Sequence, residues 1–88
     1  GTIPEDKMIG RELVLLKVYA TNKTRQDIMT ICDIMGAKVD DISPNSLTLE
    51  LSDTPDRIDT FEAMLRPFSI LEVVRTGVIA LQKGGGKI

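Results

Sequence analysis

The stretch Glu12-Leu13-Val14-Leu15-Leu16-Lys17-Val18-Tyr19-Ala20 restricts the fold more than any other part of the chain. By the two-residue period of a strand, Val14, Leu16, Val18 and Ala20 share one face. The other face carries Leu13, Leu15, Lys17 and Tyr19, and is half aliphatic. A strand apolar on both faces lies inside a sheet or is covered from both sides. The remaining residues must supply strand neighbours at both edges and a layer on at least one face.

Two helices are legible downstream. Thr24-Arg25-Gln26-Asp27 has the spacing of a capping box, with Ile28, Ile31, Cys32 and Met35 on one stripe behind it. Gly36 stands where a helix stops in the left-handed conformation, so the pattern predicts a helix over residues 24–35. The second helix opens at Thr54-Pro55-Asp56, with a threonine cap, proline at the first helical position and an aspartate suited to the dipole. Its stripe is Ile58, Phe61, Leu65 and Phe68, and Pro67 closes it near Arg66.

Between the helices, Ala37–Ile42 reads as a short polar strand. Its alternation slips between Val39 and Ile42, which predicts a bulge or an early end. Ser43-Pro44-Asn45-Ser46 is turn chemistry, and Leu47, Leu49 and Leu51 alternate with polar residues, completing a hairpin. Ile70–Arg75 is a fourth strand. Gly77 can bend it before Val78–Leu81 continue extended.

The order is βαββαβ. It predicts an α+β, ferredoxin-like sandwich, with two helices on one face of a four-stranded antiparallel sheet. In that layout the first and third strands are central. The second, with Lys38, Asp40 and Asp41, is a charged edge. Residues 1–10 read as a flexible N-terminal segment, 11–83 as the domain, and 84–88, with three consecutive glycines, as a flexible tail.

Two helices cover one sheet face only. Leu13 and Leu15, or their neighbours Val14 and Leu16, must then point the other way, and the fourth strand is apolar on both sides, Leu71 and Val73 against Ile70 and Val74. Arg75, beside Thr76-Gly77, ends that strand and can contact an anion, Glu72 or a neighbouring subunit. Leu13, Leu15, Leu71, Val73 and Arg75 are therefore the candidate interface, for a second copy or another subunit.

Catalytic chemistry has little to work with. The chain has no histidine, which removes the usual base, the serine and cysteine triads and most transition-metal sites. Cys32 lies on the apolar helix stripe and reads as a buried structural thiol. Asp40-Asp41 and Asp53…Asp56 lack the spacing of a calcium loop and read as a strand edge and a helix start. No catalytic, cofactor or metal residue is expected. A net charge of −2, one tyrosine and two phenylalanines argue against nucleic-acid binding. No apolar run reaches membrane-span length, and no signal-peptide pattern opens the chain, so no membrane partner and a cytoplasmic location are expected.

Three strings narrow the function. Arg11-Glu12-Leu13-Val14-Leu15-Leu16-Lys17-Val18, Ala37-Lys38-Val39-Asp40-Asp41-Ile42-Ser43 with Asn45–Glu50, and Leu65-Arg66-Pro67-Phe68-Ser69-Ile70-Leu71-Glu72-Val73-Val74-Arg75-Thr76-Gly77 closely resemble the C-terminal domain of the acetolactate synthase small, regulatory subunit. The resemblance runs from about Arg11 to Lys83. It departs at Met35-Gly36, where the family often has phenylalanine-arginine, and at Ser69, where it has glycine. It implies a non-catalytic regulatory domain acting in branched-chain amino-acid biosynthesis. The partner it implies is a large catalytic subunit carrying thiamine diphosphate, magnesium and flavin, with a homodimer of the regulatory chain. Feedback inhibitors in that family bind an N-terminal ACT domain; no ACT-type effector motif is visible here, so the resemblance implies that this chain is the second half of such a subunit.

Two other readings compete. A stand-alone ACT-like module would bind an amino acid between two copies, and a glycine-rich loop after the first strand would favour it; that loop is Thr21-Asn22-Lys23. An acylphosphatase-like enzyme would want an arginine in the same loop and an asparagine on a neighbouring strand. Arg25 and Asn45 do not match that layout.

Overall fold

The computed structural model describes residues 8–82. Of the flexible ends expected, residues 1–7 and 84–88 lie outside the described residues. The elements are β1 (Met8–Tyr19), α1 (Arg25–Met35), β2 (Lys38–Ser43), β3 (Ser46–Asp53), α2 (Pro55–Leu65), a 3-10 turn at Arg66–Phe68, β4 (Ile70–Arg75) and β5 (Ile79–Gln82). The sheet order is β2-β3-β1-β4, all antiparallel, as the βαββαβ reading requires.

Even positions of β1 from Glu12 to Val18, and Ala20 just past its end, face the helices. Val14, Leu16, Val18 and Ala20 are fully buried against Leu47, Leu49 and Leu51 of β3, Ile28, Cys32 and Met35 of α1, and Ile58, Phe61 and Leu65 of α2. Each large apolar side chain there contributes about 1.5–3 kcal/mol through lost contact with water.

Local chemistry sets the element ends. Gly36 ends α1 at φ 76°, and the Ala37 N–H donates to the Cys32 carbonyl at 2.9 Å, the left-handed stop expected from the sequence. The capping box does not form. Thr24 has helical angles, and its Oγ1 accepts the Thr21 N–H at 2.9 Å in a tight turn. The hydroxyl serves that turn rather than the helix, a known competition for threonine. Thr54 stands in extended geometry ahead of α2 without a side-chain cap bond, while the Asp53 carboxylate accepts the Thr54 N–H at 2.7 Å. Asp40 is the extra residue of a bulge in β2, within the stretch where the alternation slips.

Two features were not anticipated. β1 begins at Met8 rather than Arg11, because Gly77 at φ 84° lets β5 return alongside it, pairing Met8 with Gln82 and Arg11 with Ile79. Beyond the helices the two strands form a short ribbon. The second feature is Ser69, at φ 76° and ψ 102°, where an L side chain is strained. Its carbonyl accepts the Tyr19 N–H at 2.9 Å, and its N–H donates to the Arg66 carbonyl at 3.1 Å, fastening the start of β4 to the end of β1. Ser69→Gly should therefore stabilise the domain by about 1 kcal/mol, read as a higher midpoint in urea at unchanged slope. A lower midpoint would show that the strained angles cost nothing here.

Candidate interface surface

The face opposite the helices is built by register. Leu15 pairs with Glu50 of β3 and Val74 of β4, Leu13 with Ser52, Lys17 with Thr48 and Glu72, and Tyr19 with Ser46. Directly opposed residues share a face, so these form one uncovered surface. Its centre is apolar: Leu15 is 40% exposed, Tyr19 44% and Val74 63%, with Leu13 half-buried between Leu15 and the ribbon.

Charge frames this strip. Lys38 pairs with Glu50 across β2 and β3. A hydrogen bond to Asp40, reinforced by that group's charge, raises the Glu50 carboxyl above its ordinary range. On the other side Lys17 stands opposite Glu72. The surface is thus an aliphatic and aromatic band between two mixed-charge margins, the arrangement of a protein contact rather than a ligand pocket.

The five residues expected on this surface divide. Leu13 and Leu15 are on it. Val73 is not: it pairs with Leu16 and belongs to the helix side. Arg75 pairs with Val14 and also turns toward the helices. Leu71 is the extra residue of a bulge between Ile70 and Glu72. Across β1 and β4 the paired numbers sum to an odd value, so odd positions of one strand face with even positions of the other. Parity within each strand does not disclose that offset. The apolar β4 residue on this face is Val74.

Arg75 instead anchors β4 to the rest of the fold. Its guanidinium donates to Asp59 at 2.8 Å and Glu62 at 3.2 Å on α2, and to Glu12 on β1. Glu12 is buried, and the Arg75 hydrogen bond holds its carboxyl below the usual range. The same bonds raise the already high Arg75 value. This network was missed, yet Glu12 carries a signal for it. It shares the face of Val14 and Leu16, where a charge needs a partner.

Arg25 is structural: its Nη2 donates to the carbonyls of Ser43 and Pro44 at 2.7 and 2.6 Å, tying α1 to the β2–β3 turn. Cys32 is buried among apolar groups, and desolvation pushes its thiol up to about 11, away from nucleophilic use. A shallow groove of about 170 Å³, lined by Arg11, Glu12, Leu13, Ser52, Thr76 and Ile79, lies where the ribbon leaves the sheet. It is smaller than the usual small-molecule site of about 300–1,000 Å³. Among the described residues no helix is long and apolar enough to cross a membrane.

A family model described as the small subunit of acetolactate synthase matches residues 11–84. The chain belongs to the acetolactate synthase small-subunit family. Relatives named as acetolactate synthase small subunits include those of Mycolicibacterium smegmatis, 38% identical over 91% of this chain and 47% of its own length, and Haemophilus influenzae, 37% identical over 93% and 51%. A relative from Nicotiana plumbaginifolia, 37% identical over 92% of this chain and 18% of its own, is named a chloroplastic small subunit. The crystal structure of the Thermotoga maritima small subunit superposes with a TM-score of 0.85 at 23% identity, over 93% of this chain and 50% of that one. At that identity it establishes the fold. The chain spans about half the length of the bacterial small subunits it matches. The small-subunit strings quoted from Arg11 to Gly77 therefore occupy β1, the β2–β3 hairpin and the α2–β4 junction.

Proposed function

We propose that this chain is a non-catalytic regulatory domain of acetolactate synthase, docking on the large catalytic subunit through the helix-free face. The observation that carries the reading is the uncovered band Leu13, Leu15, Tyr19 and Val74 in a chain of the small-subunit family. A band of this kind loses hydration on association, and its charged margins set orientation. Through that contact the domain supports activation of the large subunit and its feedback control by branched-chain amino acids. The loop Thr21-Asn22-Lys23 lacks the glycine backbone that would approach an amino-acid effector, so the domain transmits regulation rather than holding the effector. Because a plant relative is named chloroplastic, the cytoplasmic location belongs to this proposal for a bacterial-type chain only.

The test titrates the chain into the large subunit and reads both binding and acetolactate synthesis. The chain alone should make no acetolactate and should bind valine, leucine and isoleucine weakly or not at all. Leu15→Glu and Val74→Glu, each placing a charge in the centre of the band, should weaken binding at least tenfold while melting as the parent does. If both variants bind and activate like the parent, the helix-free face is not the docking surface.

A further inference from the structure

The shallow groove of about 170 Å³ where the ribbon leaves the sheet opens on the helix-free face. Arg11 and Leu13 are alternate residues of β1 and share that face; Leu13 stands opposite Ser52 of β3, and Arg11 opposite Ile79 of β5. Leu13 is the half-buried floor, and Ile79 is an exposed aliphatic wall. The groove thus continues the band of Leu15, Tyr19 and Val74 toward the ribbon. Its polar wall is engaged within the chain. The Thr76 hydroxyl accepts the Leu13 N–H at 3.1 Å and donates to the Gly77 carbonyl at 3.1 Å. Arg11 Nη2 donates to the Ser52 carbonyl at 2.8 Å, and its Nη1 lies 3.7 Å from Asp53. A polar ligand would find few open partners there, whereas an apolar group displaces water from Leu13 and Ile79 without breaking a hydrogen bond.

Size and charge narrow the occupant further. A cavity of about 150 Å³ holds one benzene molecule, so this groove takes one ring-sized side chain and no more. Ser52 and Asp53 hold the Arg11 guanidinium at the rim with its side chain 47% exposed, a planar cation suited to the face of an aromatic ring. The chain's own rings do not serve it. Tyr19 is six residues along β1, about 20 Å away, and Phe61 and Phe68 pack with the core. We propose that the groove is the anchor point of the docking contact, seating one aromatic side chain of the large catalytic subunit over Leu13 and Ile79 and against the Arg11 guanidinium. The inference rests on docking through the helix-free face and adds the chemistry of the partner group. An aromatic anchor sunk in a pocket fixes the register of a contact and carries a large share of its binding energy.

The test uses the full chain with the large subunit. On forming the complex, the Leu13 methyl signals should move upfield, the mark of a ring stacked on them. Ser52→Phe, which fills the groove from its β3 wall, should weaken binding about tenfold or more. Arg11→Met, which keeps the stem and removes the guanidinium, should weaken it severalfold, both variants with parental far-UV spectra. Two results overturn the anchor while leaving the docking face standing: a complex that Leu15→Glu disrupts but in which the Leu13 methyls do not move upfield, or one that binds Ser52→Phe as tightly as the parent. A complex indifferent to Leu15→Glu and Val74→Glu removes the docking face, and the anchor with it.

Discussion

Phe61→Ala should unfold most of the protein at 37 °C. Phe61 is fully buried in α2, between Ile58 and Leu65 on the same stripe, and faces β1 and β3 across the core. The chain has only three aromatic residues, and Tyr19 is exposed while Phe68 is half-buried. Phe61 is therefore the only aromatic ring fully inside the core. Removing it deletes the transfer free energy of the ring and leaves a cavity that the core side chains of β1 and β3 cannot fill from rigid strands. The cost is about 3–5 kcal/mol. A domain of 88 residues buries only about 60–65% of its unfolded surface and stands near the low end of the usual 5–15 kcal/mol. Phe61→Leu keeps most of the volume and should cost about 1.5 kcal/mol or less. Thermal melts of the three proteins decide the point: an alanine variant melting within two degrees of the parent would remove Phe61 from the centre of the core.

The second large effect is a reversal in the pH dependence of stability on Arg75→Met. In the parent, the Arg75 hydrogen bond depresses the Glu12 carboxyl. A depressed carboxyl contributes stability that is present above its unfolded value, near 4.3, and is lost as pH falls through the folded value. In Arg75→Met the buried Glu12 carboxylate loses its cation and keeps Asp59 and Glu62 nearby, so burial and like charge raise it instead. At neutral pH the variant is then the less stable protein by a wide margin, because breaking a pair costs more than forgoing it. As pH falls from 7 toward 4, Glu12 takes a proton and the variant regains stability. Urea midpoints should stay level across that range in the parent, falling only below about pH 4, and should rise with acid in the variant. Parallel profiles would mean that Glu12 does not feel Arg75.

Much of this fold was legible because local and global preferences agree. The even positions of β1, the stripes Ile28–Cys32–Met35 and Ile58–Phe61–Leu65, and the stop at Gly36 each state one structure at every level. One failure is local, and the others come from pairing between distant segments. The Thr24 hydroxyl was claimed by a turn that the helix pattern does not contain. Met8–Gly10 became strand only because β5, from the far end of the domain, returns beside them. The expected surface set split between the two faces for the same reason. Alternation within β4 is clear, but its offset against β1 is set by the bulge at Leu71 and the bond from Thr76, and neither has a sequence period. Ser69 is the exception: a serine where the family has glycine signals its strained angles from the residue string itself.

β1 is one unbroken extended run of 12 residues that takes part in three pairings. No glycine or proline interrupts it from Arg11 to Tyr19. An extended backbone scarcely lengthens under tension, so the strand behaves as a tie rod. Whatever grips the ribbon at Met8–Arg11 pulls without slack on Leu13 and Leu15 of the open face and on Val14 and Leu16 of the core. Gly77, by contrast, lets β5 swing away from β4 at small cost. Load entering at the ribbon therefore travels into the sheet along β1 alone, while the return strand gives way first.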